Sequence, residues 1–182
     1  MKKLYLPLFL ALSLLLSGCG DKAVRERFDN LSGELCEKEL ISFTAELRCE
    51  YEDKKLDFTL GYEEDSEGCS VTVVAPELIR GIRAHARAGE TTLEFDGVML
   101  DTGPLNDYGL SPMSALPLLI DAVKSGYIDS VWEENGEYAA LIIPDDHLNV
   151  QLHLDKYTMR PVYAELISDG KVSVFINIRD WV

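Results

Sequence analysis

The chain has 182 residues, one ordinary domain by length, and its 47% hydrophobic content excludes wholesale disorder. Its 17 Lys and Arg against 32 Asp and Glu give a net charge of −15. That sign repels phosphates and anionic headgroups, which excludes a nucleic-acid partner and a polybasic membrane contact.

Lys2 and Lys3 precede an apolar run from Leu4 to Leu16, the basic and hydrophobic regions of a secretory segment too short to span a bilayer. The run ends in Leu16-Ser17-Gly18-Cys19, which resembles the bacterial lipobox at every position. The resemblance implies cleavage before Cys19 and a diacylglyceryl group on its thiol. It also implies an extracytoplasmic location, lipid-anchored to the cell membrane or, in a two-membrane cell, to the outer membrane. At about 0.8 kcal/mol per buried methylene, two acyl chains suffice for stable anchoring. Residues 1–18 then form the signal peptide, 19–40 a lipidated N-terminus and first helix, and 41–182 the folded domain. Loss of Lys2 and Lys3 with the signal takes the net charge from −15 to −17.

Residues 21–40 are polar and charged, with Val24, Phe28, Leu31 and Leu35 at helical spacing, a narrow apolar stripe that needs a surface to lie on. From Ile41 the period changes to two, with Ile41, Phe43, Ala45, Leu47, Cys49 and Tyr51 on one face of a half-buried strand. The next run places Leu56, Phe58, Leu60 and Tyr62 together. A two-residue loop at Asp53-Lys54 predicts Leu47 opposite Leu60, Cys49 opposite Phe58 and, at a small cost, Glu50 opposite Asp57. A third strand through Cys69, Val71, Val73 and Ala75 stops at Pro76. A turn at Gly89-Glu90 predicts Ala84 and Ala86 facing Phe95 and Leu93, with His85 opposite Glu94 and Arg83 opposite Asp96 on the outer face.

After a loop rich in Gly, Pro and Asp, residues 112–125 carry Leu116, Leu119, Ile120 and Val123 on one helical side, and Gly126 ends the pattern. Pro117 predicts a start near Ser114, with the proline in the first turn, or a kink. Strand patterns follow near 127–133, 137–143, 147–154, 161–167 and 171–179. A three-residue loop 168–170 predicts Leu166 opposite Val172 and Ala164 opposite Val174, because a two-residue loop mismatches the faces. Ten or eleven strands in hairpin order with two helices predict an α+β fold, mainly antiparallel, whose sheet must curve strongly to bury its apolar face.

Cys36, Cys49 and Cys69 allow one internal disulfide at most. Cys49 and Cys69 would sit about 9–10 Å apart across two strands, beyond the about 4.4–6.8 Å a bridge spans, so Cys36 would be one partner. Three unpaired thiols acting as small hydrophobes fit equally well.

Catalytic signals are sparse. Gly-x-Ser-x-Gly, Cys-x-x-Cys and phosphate-cradling glycine loops are missing from the sequence. Asp145-Asp146-His147 reads as a solvated turn, since adjacent turn residues rarely share one ion, and Ser111 reads as a turn or cap residue. No catalytic residue, metal ligand or cofactor is assigned. The concave face would present Leu47, Phe58, Leu60, Val73, Phe95 and Trp132 to Leu116, Leu119 and Ile120 of the helix, as the lining of a ligand cavity or as a solid core, which sequence does not distinguish.

Ala75-Pro76-Glu77-Leu78-Ile79-Arg80-Gly81-Ile82, Leu93-Glu94-Phe95-Asp96-Gly97 and the Gly109-Leu110-Ser111-Pro112 helix entry, in this element order, resemble the lipoprotein-localisation superfamily. That superfamily spans LolA-like and LolB-like proteins and clostridial germination lipoproteins of the GerS kind. The resemblance implies an unclosed β-barrel lidded by helices, with a cavity that takes a lipid or a lipoprotein acyl chain by burial rather than catalysis. The alternative it implies is a protein-binding lipoprotein that assists a cell-wall hydrolase or amidase in sporulation and germination.

Overall fold

The computed structural model describes residues 19–51, 54–87, 90–101 and 111–182. The signal segment and the 102–110 loop expected from the sequence lie outside the described residues. Helix α1 (Cys19–Glu37) leads into β1 (Ile41–Tyr51), β2 (Lys54–Asp65) and β3 (Gly68–Ala75), then a 3-10 turn Glu77–Ile79 after a cis Ala75-Pro76 bond. Next come β4 (Arg83–Arg87), β5 (Glu90–Phe95), β6 (Val98–Asp101) and α2 (Pro112–Ser125). The chain ends in β7 (Tyr127–Glu134), β8 (Glu137–Ile143), β9 (Leu148–Asp155), β10 (Pro161–Ser168) and β11 (Lys171–Arg179).

The eleven strands form one antiparallel sheet in the order β6-β5-β4-β3-β2-β1-β11-β10-β9-β8-β7. Apart from the β1–β11 pairing, which joins the two ends of the chain, neighbours in space are neighbours in sequence. The sheet is curved and does not close. Its inner face, alternating as predicted through Ile41, Phe43, Ala45, Leu47 and Cys49, meets α1 and α2 in a single core. The α1 stripe is confirmed, with Val24, Phe28, Leu31 and Leu35 at 2–8% exposure. Arg25 holds α1 to the edge strand, donating from Nη1 to the Ile128 carbonyl at 2.6 Å and from Nη2 to that of Asp129 at 3.0 Å.

Three registers differ from the sequence expectation, each for a local reason. In the first hairpin Leu47 faces Phe58 and Cys49 faces Leu56. This two-residue slide keeps the apolar faces together and replaces the predicted Glu50–Asp57 clash with Arg48–Asp57 at 2.9 Å and Lys55–Glu50 at 2.6 Å. In the β4–β5 hairpin Ala84 faces Leu93 and Arg83 faces Glu94. His85 still reaches Glu94, diagonally, at 3.1 Å. In the last hairpin Leu166 faces Val174 and Ser168 faces Lys171, across a register shift between Leu166 and Ile167. That irregularity reconciles the two-residue turn Asp169-Gly170, both residues at positive φ, with matched faces, and β-bulges leave little trace in residue periodicity.

Helix α2 begins two residues earlier than Ser114. Ser111 is its N-cap, its hydroxyl accepting from the Ser114 N–H at 3.1 Å while Ser114 Oγ accepts from the Ser111 N–H at 3.1 Å. Pro112 opens the helix at a position made for proline. Pro117 therefore lies inside the helix, where it removes one backbone donor.

Candidate functional site

The expected cavity lining divides into two groups. Leu47, Leu60, Val73, Leu116, Leu119 and Ile120 converge under α2, all at 0–2% exposure. A side chain bordering an empty space large enough for water keeps accessible area, so Leu60, Val73, Leu116, Leu119 and Ile120 are enclosed by their neighbours, whereas Leu47 also lines a recess that opens over β1 and β2. Phe58 packs partly buried against the same cluster. Phe95 and Trp132 fall outside it. Trp132 is half-buried on β7, its indole Nε1 donating to Glu134 Oε1 at 3.0 Å, and Phe95 is 49% exposed.

Phe95 marks where the inner face runs out of cover. Directly opposed residues of antiparallel strands share a face, so Val71, Ala84, Leu93 and Leu100 form one ladder across β3 to β6. Along it exposure rises from 1% at Val71 and 4% at Ala84, through half-buried Leu93, to 61% at Leu100. Phe95 and its partner Val98, 59% exposed, extend the same face by one step. The alternation that builds the core thus continues onto a wing neither helix reaches. The sequence sets Phe95 in a lining beneath the helix and Leu93 on the same strand face, whereas the structure carries both onto the wing, together with Val98 and Leu100, which the sequence pattern leaves unassigned. The brevity of β6 hides Val98 and Leu100 from a periodicity reading.

A polar cluster locks the far end of α2 to the sheet. Glu64 accepts from Tyr62 Oη at 2.8 Å and from Lys124 Nζ at 2.6 Å. Burial pushes the Tyr62 phenol well above its ordinary value and raises the Cys69 thiol. Burial, with help from the Glu64 charge, also raises the Asp121 carboxyl. Among the described residues every buried side-chain polar atom has a partner, and no group of three metal-ligating side chains occurs. Asp145 Oδ1 accepts from the backbone N–H groups of His147 and Leu148, both at 2.8 Å, in the solvated turn expected from sequence. Cys36, Cys49 and Cys69 form no disulfide and are exposed, buried and intermediate respectively.

On the outer face a recess of about 600 Å³ opens over β2, β1, β11 and β10, lined among others by Arg48, Asp57, Pro76, Tyr163 and Phe175. Ion pairs border it, with Arg179–Glu46 at 2.9 Å beside Arg48–Asp57. Its rim is charged where the β5–β6 wing is apolar.

Among the described residues, these features define an unclosed eleven-stranded half-barrel with a packed interior and an apolar wing left uncovered. No protein-family model matches the chain, and no curated protein does. Solved structures of similar architecture include a LolA superfamily protein from Nitrosomonas europaea, 10% identical, covering 88% of this chain and 92% of that one at a TM-score of 0.46. The lipoprotein LppX of Mycobacterium tuberculosis is similar at 9% identity, 89% and 96% coverage and a TM-score of 0.46. A structure of the CwlD amidase in complex with the GerS lipoprotein from Clostridioides difficile matches at 13% identity, 87% and 91% coverage and a TM-score of 0.42. At these identities the likeness is one of fold.

Proposed function

We propose that the protein is an extracytoplasmic lipoprotein, anchored through acylated Cys19, that binds an acyl chain or similar hydrophobic group by burial, without catalysis. The ladder from Val71 to Leu100 carries this reading, because among the described residues a core-type face continues uncovered to the sheet edge. Contiguous exposed apolar surface marks interaction sites, and covering it returns about 25 cal/mol per Å². The site lies on Leu93, Phe95, Val98 and Leu100, beyond the sealed cluster of Leu116, Leu119 and Ile120.

The test measures binding of a fluorescent fatty acid to the soluble domain with Cys19→Ser, alongside mass spectrometry of solvent extracts. Phe95→Glu places a charge on the wing at a position already half exposed, so the fold survives. Losing about half of a phenyl contact and adding a desolvation penalty weakens binding on the order of tenfold. Equal affinity of variant and parent, or extracts and titrations showing no hydrophobic ligand, overturns the reading. Empty protein that captures a cell-wall amidase favours the protein-binding alternative.

A further inference from the structure

The anchor and the folded body are joined without slack. Helix α1 begins at Cys19 itself, and Val24, 8% exposed, is already part of the core. Arg25, six residues beyond the lipobox cysteine, is fastened to the Ile128 and Asp129 carbonyls of β7. Ser32 Oγ donates to the Lys124 carbonyl at 2.9 Å, fixing the helix a second time. At 1.5 Å per residue, Arg25 is only about 9 Å along the axis from Cys19. That distance is close to the depth of a headgroup layer, since the about 40–45 Å of a whole bilayer surrounds a core of about 30 Å.

Charge and side-chain type agree with this placement. Residues 21–29 balance Lys22, Arg25 and Arg27 against Asp21, Glu26 and Asp29, so the stretch beside the anchor is neutral and the acidic excess of the mature chain lies beyond it. Tyr127, which opens β7 next to the carbonyl that Arg25 holds, is 67% exposed. A tyrosine joins an apolar ring to a hydroxyl and suits the membrane interface.

Resting on the acylation of Cys19, we propose that the first half of α1 and the β7 edge at Tyr127 form a membrane-apposed face, seating the domain directly on the bilayer interface in one orientation. The rest of the body, with its net negative charge, is turned toward solvent.

The test uses full-length lipidated protein in phosphatidylcholine vesicles whose acyl chains carry bromine, a short-range quencher of tryptophan. Tyr127→Trp is compared with Tyr157→Trp, whose position is 91% exposed. Lys156 pairs with Glu133 near the far end of β7, so position 157 is about 20 Å from 127 along that strand. After subtraction of the Trp132 and Trp181 background, quenching at 127 is several-fold greater than at 157. A glycine-serine insertion between Gly20 and Asp21 keeps the acyl chains and lowers the signal at 127 to that at 157. Equal quenching at the two positions, or quenching at 127 that survives the insertion, overturns the seating. Mass spectrometry of the N-terminal peptide separates this from the premise: acylated Cys19 with equal quenching refutes the orientation alone, and unmodified Cys19 removes the anchor and the orientation together.

Discussion

Leu119→Ala separates a solid interior from a hollow one. Leu119 is 1% exposed on the buried side of α2, in one cluster with Leu116, Ile120, Leu60 and Val73. The substitution removes three carbon atoms. The transfer contribution alone is about 2.4 kcal/mol at about 0.8 per methylene, and the unfilled space adds to it, giving about 3–4 kcal/mol within the usual Leu→Ala range of about 2–5. For a domain of this size that lowers Tm by about 6–16 °C. Urea unfolding of the soluble domain followed by far-ultraviolet circular dichroism reads the change, with an unaltered m-value confirming that only stability has moved. A cost below about 1 kcal/mol would show that Leu119 borders a void, because shortening a side chain that faces empty space forfeits few contacts. That result would return the ligand site to the space beneath α2. Fatty-acid affinity supplies the independent check, staying at the parent value in folded Leu119→Ala.

Two further outcomes follow from the other end of α2 and from its start. Asp121 has a raised pKa in the folded state, from burial first and Glu64 second, so its ionisation opposes folding. That cost is absent below the unfolded value near 3.8 and grows as pH rises through the folded value. Asp121→Asn therefore stabilises at pH 7 and loses its advantage toward pH 3.8, and a urea-midpoint difference independent of pH would refute the assignment. Ser111→Ala removes the hydroxyl of the capping box and costs about 1 kcal/mol, whereas Ser111→Asp keeps the midpoint near that of the parent.

Most of the architecture was legible in residue order. Strict alternation from Ile41 to Cys49 and again through Val71 and Val73 reports a sheet with one buried face, and the Val24-Phe28-Leu31-Leu35 stripe reports a helix lying on it. Registers were less legible. A slide of two residues leaves every face unchanged, so only ion pairs such as Arg48–Asp57 choose between alternatives, and the irregularity at Leu166 reverses parity unseen. The extent of α2, 112–125, was legible, but its cap was not: Pro117 pointed to a start near Ser114, while the reciprocal bonds of Ser111 and Ser114 set the boundary at Pro112. The site was the least legible part. Leu60 and Leu100 are the same residue type on equivalent faces, and only the reach of the helices decides that one is sealed and the other open.

The guanidinium of Arg25 has a consequence for how neighbouring copies behave. A sheet that does not close has two margins, and molecules confined to a plane meet margin to margin far more often than molecules in free solution. Unsatisfied carbonyls along such a margin are a template for strand addition. Here one margin is the four-residue β6, too short to recruit a partner firmly, and on the other Arg25 occupies the carbonyls of Ile128 and Asp129 beside the irregularity between Ile128 and Ser130. The contact that pins α1 thereby also blocks two carbonyls of this margin against cross-pairing.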